Sequence, residues 1–316
     1  MLAKLDSRST DPSIRAPQLA ASFVPDQSNQ SALPPSRITG GQTRPFFQAV
    51  VLGKYNVNYY QCQDTGFVQT ESPYWLDEAY ADAITALDIG LVSRNADKAA
   101  LTKSIISDCF PRAERFVDYG GGYGMFTRMM RDHGFPFLHY DTHCQNIFAR
   151  GFEVDCLDEL SNTGLITAWE VMEHLVDPLR DVKTILEKAN TFLFSTELIP
   201  DKRIAKPEDW WYFTPETGQH ISIYTLESLE YLAKSLNAFL YTDGSSNHIL
   251  SMVQARDNPF ETRASAKPPS LLQKARSVFG KKQTPKRERP SLLQEDFELA
   301  LERLRAQQSS ARCSNE

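Results

Sequence analysis

The sequence predicts an α/β fold built on a doubly wound, mostly parallel seven-stranded sheet. Between residues 115 and 255, short apolar runs alternate with amphipathic stretches, which is the pattern of repeated βα units. A glycine-rich stretch at residues 120–124 follows the first of these runs. Because 41% of the 316 residues are apolar, the chain can also bury the core that such a sheet needs.

The seven predicted strands lie near residues 115–119, 135–141, 152–156, 165–170, 191–197, 238–242 and 248–254. The last two should form a hairpin that closes the sheet. Asp177 can cap a helix whose first position is Pro178, and Thr225 can cap another. Apolar residues recur at helical spacing after both caps, so each helix should bury one face.

Three segments flank the predicted domain, which covers residues 113–255. Residues 1–45 have few large apolar groups, so we expect a disordered leader. Residues 46–112 are rich in aromatic side chains and should form a small N-terminal module that contains a helix near residues 76–91. Residues 256–316 read as a basic linker followed by an amphipathic helix, a C-terminal helical tail that could dock a partner or self-associate.

Charge and cysteine content exclude some classes of protein. The formal charge of −6 argues against nucleic acid as the main partner, since phosphate backbones are bound by clustered Lys and Arg. The five cysteines are odd in number and scattered, which favours reduced thiols and a cytoplasmic protein. No stretch approaches the roughly 18 to 20 apolar residues of a membrane span, so we expect no transmembrane segment.

The glycine-rich stretch is typical of a loop that binds a nucleoside ligand. Glycines let the backbone approach a ligand closely, and the following helix offers free N–H groups. A nicotinamide dinucleotide fits poorly, because its Gly-x-Gly-x-x-Gly pattern would require glycine at Met125. Asp141 ends the second predicted strand, where a carboxylate can accept hydrogen bonds from both hydroxyls of a ribose.

Residues 118–124, Asp141 and the segment Trp-Glu-Val-Met-Glu-His-Leu-Val-Asp-Pro at 169–178 together resemble the class I S-adenosylmethionine-dependent methyltransferases, in particular the ubiquinone-pathway and sugar methyltransferases. The resemblance covers about residues 113–255. It implies a Rossmann-like methyltransferase fold with S-adenosyl-L-methionine as the cofactor. Residues 211–224 resemble a loop of this group that faces the acceptor.

Eight residues match cofactor-binding positions of that family. The resemblance assigns the methionine half of the cofactor to Asp118, Gly120, Gly122 and Gly124, the ribose to Asp141, the adenine edge to Asp155 or Cys156, and the neighbourhood of the methionine moiety to Glu170.

His174 and His220 are the candidate catalytic residues. Methyl transfer from a sulfonium is an in-line displacement, in which the protein chiefly aligns the reacting groups. A base is needed only if the nucleophile carries a proton, and imidazole titrates near neutral pH. The alternative is that both are structural histidines that bond backbone groups. Glu173 is expected to be a solvated or loop-ordering residue.

Residues 59–67 resemble the zinc knuckle of several sugar methyltransferases, with Thr65 in place of the second cysteine. A structural zinc site needs four good ligands, and no other Cys or His lies near Cys62 in the sequence. We therefore predict no metal.

Two functions remain open. The first is methyl transfer to a small-molecule or sugar/glycan-precursor acceptor. The alternative is a catalytically inactive cofactor-binding or scaffolding subunit, which the altered knuckle and the extra tail leave possible.

Overall fold

The computed structural model describes residues 33–81, 84–85, 87–110, 115–160, 163–261, 289–300 and 302–303. Within these residues the strands are β1 (Thr43–Val51), β2 (Tyr55–Cys62), β3 (Val68–Thr70), β4 (Phe116–Tyr119), β5 (Phe137–Tyr140), β6 (Leu165–Ala168), β7 (Thr191–Ser195), β8 (Ser222–Ile223), β9 (Phe239–Thr242) and β10 (Asn247–Ser251). The helices are α1 (Leu76–Ala79), α2 (Leu91–Cys109), α3 (Met125–Asp132), α4 (Pro178–Lys188) and α5 (Leu226–Ser235).

The main sheet has the strand order β5-β4-β6-β7-β10-β9. Strands β5, β4, β6 and β7 are parallel, whereas β10 runs antiparallel to both β7 and β9. Every residue of β6 and β7 is buried, as expected for central strands that are covered by helices on both faces. The chain leaves β4 on one side to form β5 and then crosses to the other side to form β6. A cleft therefore opens at the carboxyl ends of β4 and β6, where ligands of such sheets bind.

The sheet has six strands in the described residues, so the predicted count of seven is wrong. The expected strand at residues 152–156 forms only a single bridge, between His139 and Glu153. Gly151, with φ +86°, makes a sharp turn just before it. Just after it, the Cys156 side chain caps a 3₁₀ helix, Leu157–Glu159. The extended stretch between these two features is too short to form a ladder.

A second sheet, with the order β1-β2-β3-β8, is antiparallel and joins the N-terminal module to the central domain. Strand β8 comes from the loop that follows β7, and it pairs with β3. The side chains of Tyr59, Trp75, Tyr212 and Phe213 are buried together in the core beside this sheet. The aromatic residues of the module thus pack against the loop at residues 210–213.

Two predicted boundaries need correction. Residues 33–45 are folded, since Ile38 is buried and the Arg37 guanidinium donates to the carbonyl oxygens of Thr70 and Glu71; residues 1–32 lie outside the described part. The helix expected near residues 76–91 ends at Ala79, and α2 begins only at Leu91. Between these two helices, Ile84 and Leu87 line the central cleft.

The predicted helix caps are confirmed. The Asp177 side chain accepts from the backbone N–H of Arg180, and the Thr225 hydroxyl accepts from that of Ser228. In the C-terminal tail, residues 293–300 are helical, and the buried Asp296 carboxylate bonds the Arg131 guanidinium at 2.6 and 2.8 Å. Most of the basic linker, residues 262–288, lies outside the described residues. None of the described helices is long and apolar enough to cross a membrane.

Candidate active site

A cavity of about 620 Å³ occupies the cleft at the carboxyl ends of β4, β5 and β6. Its volume falls in the range of about 300–1,000 Å³ that is usual for small-molecule sites. Two groups of residues in its lining are considered as walls. The glycine wall consists of residues 118–122, 140–144 and Glu170; the histidine wall consists of Tyr80, His174, Tyr212 and His220.

The glycine wall is a tight turn between β4 and α3. Gly120 and Gly122 have φ angles of +67° and +56°, a left-handed region that other residues enter with strain. A Cβ atom on Gly120 would lie 2.6 Å from Val171 Cγ2, and one on Gly122 would be 3.4 Å from Ile84 Cδ1. The missing side chains therefore leave backbone exposed to a ligand at this wall.

Asp141 fastens this turn to the end of β5. Its carboxylate accepts hydrogen bonds from the backbone N–H groups of Gly122 at 2.8 Å and of His143 and Cys144, both at 2.7 Å. A carboxylate offers about four acceptor positions, so the bound ribose expected here would find one position left. The turn and this carboxylate fit a nucleoside cofactor such as S-adenosylmethionine.

Asp118 lies beneath the turn rather than on the open face of the wall. It is buried, and its carboxyl group accepts from the hydroxyls of Thr127 and Thr167, both at 3.1 Å. Burial raises the pKa of Asp118 to about 7, although the two hydroxyls lower it and Asp141 raises it further. This group supports the turn from inside the fold.

Glu170 follows β6 and has a φ of +56°, which is unusual for a residue with a side chain. Ser195 holds it in place, because its hydroxyl accepts from the Glu170 N–H at 2.8 Å and donates to Glu170 Oε1 at 2.5 Å. Such strain persists only where the surroundings enforce it, and it is concentrated at functional sites. Glu170 thus extends the glycine wall at the carboxyl end of β6.

His174 and His220 face each other on the histidine wall, with ring centroids 5.2 Å apart. His220 Nδ1 donates to the carbonyl oxygen of Tyr212 at 2.5 Å, and His174 Nδ1 is 2.9 Å from the Tyr80 hydroxyl. Burial lowers the pKa of both imidazoles. Both rings are therefore neutral at neutral pH, and the Nε2 atom of His220 carries a lone pair.

Glu173 is buried directly behind this wall, so of the two expected roles, solvated or loop-ordering, the solvated one is wrong. It is 0% exposed, and neither carboxyl oxygen makes a hydrogen bond of normal geometry, although the Tyr212 hydroxyl and the Glu173 N–H are near enough to lower its pKa. Burial, followed by repulsion from Glu170, raises the pKa of Glu173 to about 8. The ligand atoms of Glu173, His174 and His220 lie within 4.8 Å of one another, a group that could hold a metal ion. Spacing along the chain does not indicate that these three side chains meet, and the prediction from the sequence was no metal.

Three of the predicted cofactor residues do not line the cavity. Gly124, with φ +80°, begins α3 and forms the inner end of the turn. Asp155 and Cys156 are exposed, and the thiol of Cys156 is used to cap the following 3₁₀ helix. Because the segment at residues 152–156 forms no strand ladder, it does not bring these side chains to the cleft. The wall next to Asp141 is formed instead by residues 142–144.

Two residues of the cavity, Tyr80 and Lys98, were not among the predicted site residues. Tyr80 stacks on His143 with ring centroids 4.6 Å apart, besides its contact with His174. Lys98 on α2 lies 4.9 Å from the Trp169 ring centroid, and burial lowers the pKa of its ammonium while Glu170 raises it. Neither Tyr80 nor Lys98 lies at a characteristic distance in sequence from the methyltransferase motifs. Only the aromatic content of the segment around Tyr80 indicated a role in the cavity.

Residues 91–238 match the family model described as "Methyltransferase domain". No curated protein matches the chain. Among solved structures, the chain is similar to CalO1, a methyltransferase in calicheamicin biosynthesis in its SAH-bound form, at 16% identity over 57% of this chain and 60% of that one, with a TM-score of 0.35. It is also similar to the mitomycin 7-O-methyltransferase MmcR, at 13% identity over 56% and 60%, with a TM-score of 0.38.

A further similar structure is an O-methyltransferase family protein from Burkholderia thailandensis, at 11% identity over 57% of this chain and 63% of that one, with a TM-score of 0.39. The chain spans about three fifths of the length of each of these three proteins. The matched segment includes α2, the glycine turn, Asp141 and both candidate histidines. Strands β1 to β3, β9 and β10 lie outside it. Residues 91–238 are therefore similar to a methyltransferase domain.

Proposed function

We propose that this protein transfers the methyl group of S-adenosylmethionine to a hydroxyl of a small-molecule acceptor, with sugars and glycan precursors among the candidates. The observation that carries the proposal is that one cavity joins the glycine wall to the histidine wall. A cofactor-binding subunit without activity would not require two neutral imidazoles opposite its cofactor. We expect the protein to act in the cytoplasm, because its five cysteines are odd in number and scattered, which favours reduced thiols.

The glycine wall would bind the cofactor. Backbone at Gly120 and Gly122 would lie against the methionine half, with Glu170 beside it, and Asp141 would accept from the ribose. S-adenosylmethionine supplies a methyl group on a positively charged sulfur, which a nucleophile can displace. Residues 142–144 would then face the adenine, in place of Asp155 and Cys156.

The histidine wall would receive the acceptor. An imidazole that donates through Nδ1 to a fixed carbonyl, as His220 does to Tyr212, keeps Nε2 ready to accept a proton. His174 Nδ1 bonds the Tyr80 hydroxyl at 2.9 Å, and its Nε2 carries a lone pair in the tautomer in which Nδ1 donates. We infer that one of these Nε2 atoms accepts the proton of the acceptor hydroxyl as the oxygen attacks the methyl carbon. The walls also align the two reactants, which supplies part of the rate enhancement.

The C-terminal helix is proposed as a docking element for a partner or for a second copy of this chain. Its Asp296 holds it on Arg131, whereas Leu293 and Phe297 are 58% and 61% exposed. Replacing both apolar residues with Glu should lower the molecular mass measured by light scattering if copies associate through them. An unchanged mass would exclude self-association through this face.

Calorimetry with S-adenosylmethionine, S-adenosylhomocysteine and NAD tests the cofactor assignment. We expect the first two to bind and NAD not to bind. Incubation with radiolabelled S-adenosylmethionine and a panel of phenols, sugars and amines then tests transfer. Label that moves to hydroxylated compounds supports the proposal, and the Gly122→Leu protein serves as a control that lacks cofactor binding. Binding of NAD alone would overturn the proposal.

A further inference from the structure

We propose that Glu173, His174 and His220 bind a divalent metal ion that faces the cavity. The site uses two imidazole nitrogens and one carboxylate oxygen, whose atoms lie within 4.8 Å of one another. Such a set of three ligands suits first-row divalent ions, zinc included, and leaves coordination positions open for another molecule. The place of the acceptor at this ion rests on the proposed function, whereas the ion site itself does not.

The histidine side chains are held as metal ligands usually are. In metal sites the imidazole nitrogen that does not bind the ion is commonly fixed by a backbone carbonyl or another polar group. His220 donates from Nδ1 to the carbonyl oxygen of Tyr212, at 2.5 Å. His174 Nδ1 contacts the Tyr80 hydroxyl at 2.9 Å. In both rings the Nε2 atom remains for a ligand.

Glu173 supplies the second, independent observation. Its carboxyl group is fully buried and makes no hydrogen bond of normal geometry at either oxygen, with only the weaker influence of the Tyr212 hydroxyl nearby. A buried carboxyl group without a good partner is costly even when it is protonated, and when it is ionised it is normally paired or bound to a metal. The buried cation nearby, Lys98, already bonds Asn247 Oδ1 at 2.6 Å. A metal ion would provide the partner that Glu173 does not have among the described residues.

The bound ion would select the acceptor. One carboxylate and two neutral imidazoles give a divalent site a net charge of +1, which attracts oxygen that is anionic or becomes so. Acceptors with two adjacent oxygens, such as vicinal diols or catechols, could occupy two open positions. The acceptor hydroxyl would lose its proton to solvent and form the C–O bond. The C–S bond would break with its electron pair remaining on sulfur. Proton acceptance by imidazole is then not needed.

The test measures binding of the metal alone. The full-length protein is treated with EDTA, dialysed, and titrated with Zn²⁺, Mn²⁺ and Co²⁺ by calorimetry; Co²⁺ binding is also followed by visible absorption. We expect one equivalent of at least one ion to bind. Glu173→Gln and His220→Ala should each weaken that binding at least about 100-fold, more than the loss of an outer contact usually does.

His133→Ala is the matched control, because His133 is an exposed histidine outside the cavity. It should leave metal binding unchanged. Glu173→Gln keeps the shape of the buried side chain, and circular dichroism of each variant checks that it folds. The proposal is overturned if none of the ions binds, or if wild type and folded variants bind equally well.

The cofactor measurements separate this inference from the proposed function. If the EDTA-treated protein binds S-adenosylmethionine and transfers methyl groups at the full rate, the role of the ion toward the acceptor is overturned and a histidine base remains. If one equivalent of metal binds through these side chains but the protein does not bind S-adenosylmethionine, the proposed function fails while the metal site stands.

Discussion

The two walls of the cavity are built in opposite ways. The glycine wall is formed by consecutive βα segments and presents mainly backbone groups, fastened by Asp141. The histidine wall is formed by side chains from three separate segments, since Tyr80 and His174 are 94 residues apart and Tyr212 and His220 follow β7. Backbone recognition suits a ligand that is always the same, whereas side chains can be adapted to a particular acceptor. The two walls should therefore respond differently to substitution.

The largest effect is expected on the histidine wall. His174→Ala and His220→Ala should each lower turnover roughly 100- to 10,000-fold, the usual contribution of proton transfer, with little change in cofactor affinity. Steady-state assays and calorimetry with S-adenosylmethionine measure the two quantities. His133→Ala again serves as the surface control. Rates near wild type in both cavity variants would show that alignment alone carries the reaction.

The next effect is expected on the glycine wall. Gly122→Leu should weaken S-adenosylmethionine binding at least about 100-fold, because a side chain there is strained by about 1–2 kcal/mol and fills the cavity. Gly244→Ala is the matched control, since Gly244 has φ +84° with nothing within 4 Å of the added Cβ. It carries similar backbone strain outside the cavity. Unchanged cofactor affinity in Gly122→Leu would remove the cofactor from this wall.

Asp141→Ala sharpens the assignment of the ribose. The variant loses the acceptor for the ribose and frees three backbone N–H groups, and a hydrogen bond to a charged group contributes about 1.5–3 kcal/mol. Cofactor affinity should fall about 10- to 100-fold by calorimetry. Asp155→Ala, at an exposed position, should leave it unchanged. Equal losses of cofactor affinity in Asp141→Ala and Asp155→Ala would show that Asp155 also contributes to the cofactor site.

The smallest effect concerns the support beneath the glycine wall. The pKa of Asp118 is about 7 in the fold against 3.8 for the ordinary group. Because the pKa of Asp118 is raised in the folded state, protonated Asp118 makes its full contribution to the free energy of unfolding below pH 3.8. This contribution is lost as the pH rises to about 7. Asp118→Asn, which stays neutral, should gain about 1–3 kcal/mol over wild type as pH rises through this range.

Urea unfolding at pH 5, 6, 7 and 8 measures this difference in the free energy of unfolding. The advantage of the Asn variant should grow up to about pH 7 and then stay constant. Asp155→Asn, at the surface, should show no such trend. A difference between Asp118→Asn and wild type that does not depend on pH would mean that Asp118 is ionised in the fold throughout this range.

Much of the fold could be predicted because its signals are local. Residues only a few positions apart determine the glycine turn, the strands on either side of that turn, and the helix caps at Asp177 and Thr225. Backbone conformation and short-range hydrogen bonds decide these features wherever the segment lies. The predictions of a strand at residues 152–156 and of a helix at 76–91 were wrong. Periodicity indicates that a segment is half-buried, but it does not indicate which other segment covers it.

The sequence by itself determined the class of fold, the glycine wall and the order of its elements along the chain. Only the tertiary structure decided that β8 joins the N-terminal sheet, that Asp155 and Cys156 face solvent, and that Glu173 is buried beside two histidines. Each of these depends on contacts between segments that are distant in the chain. Whether such segments meet is set by the packing of the whole core, which no local spacing encodes.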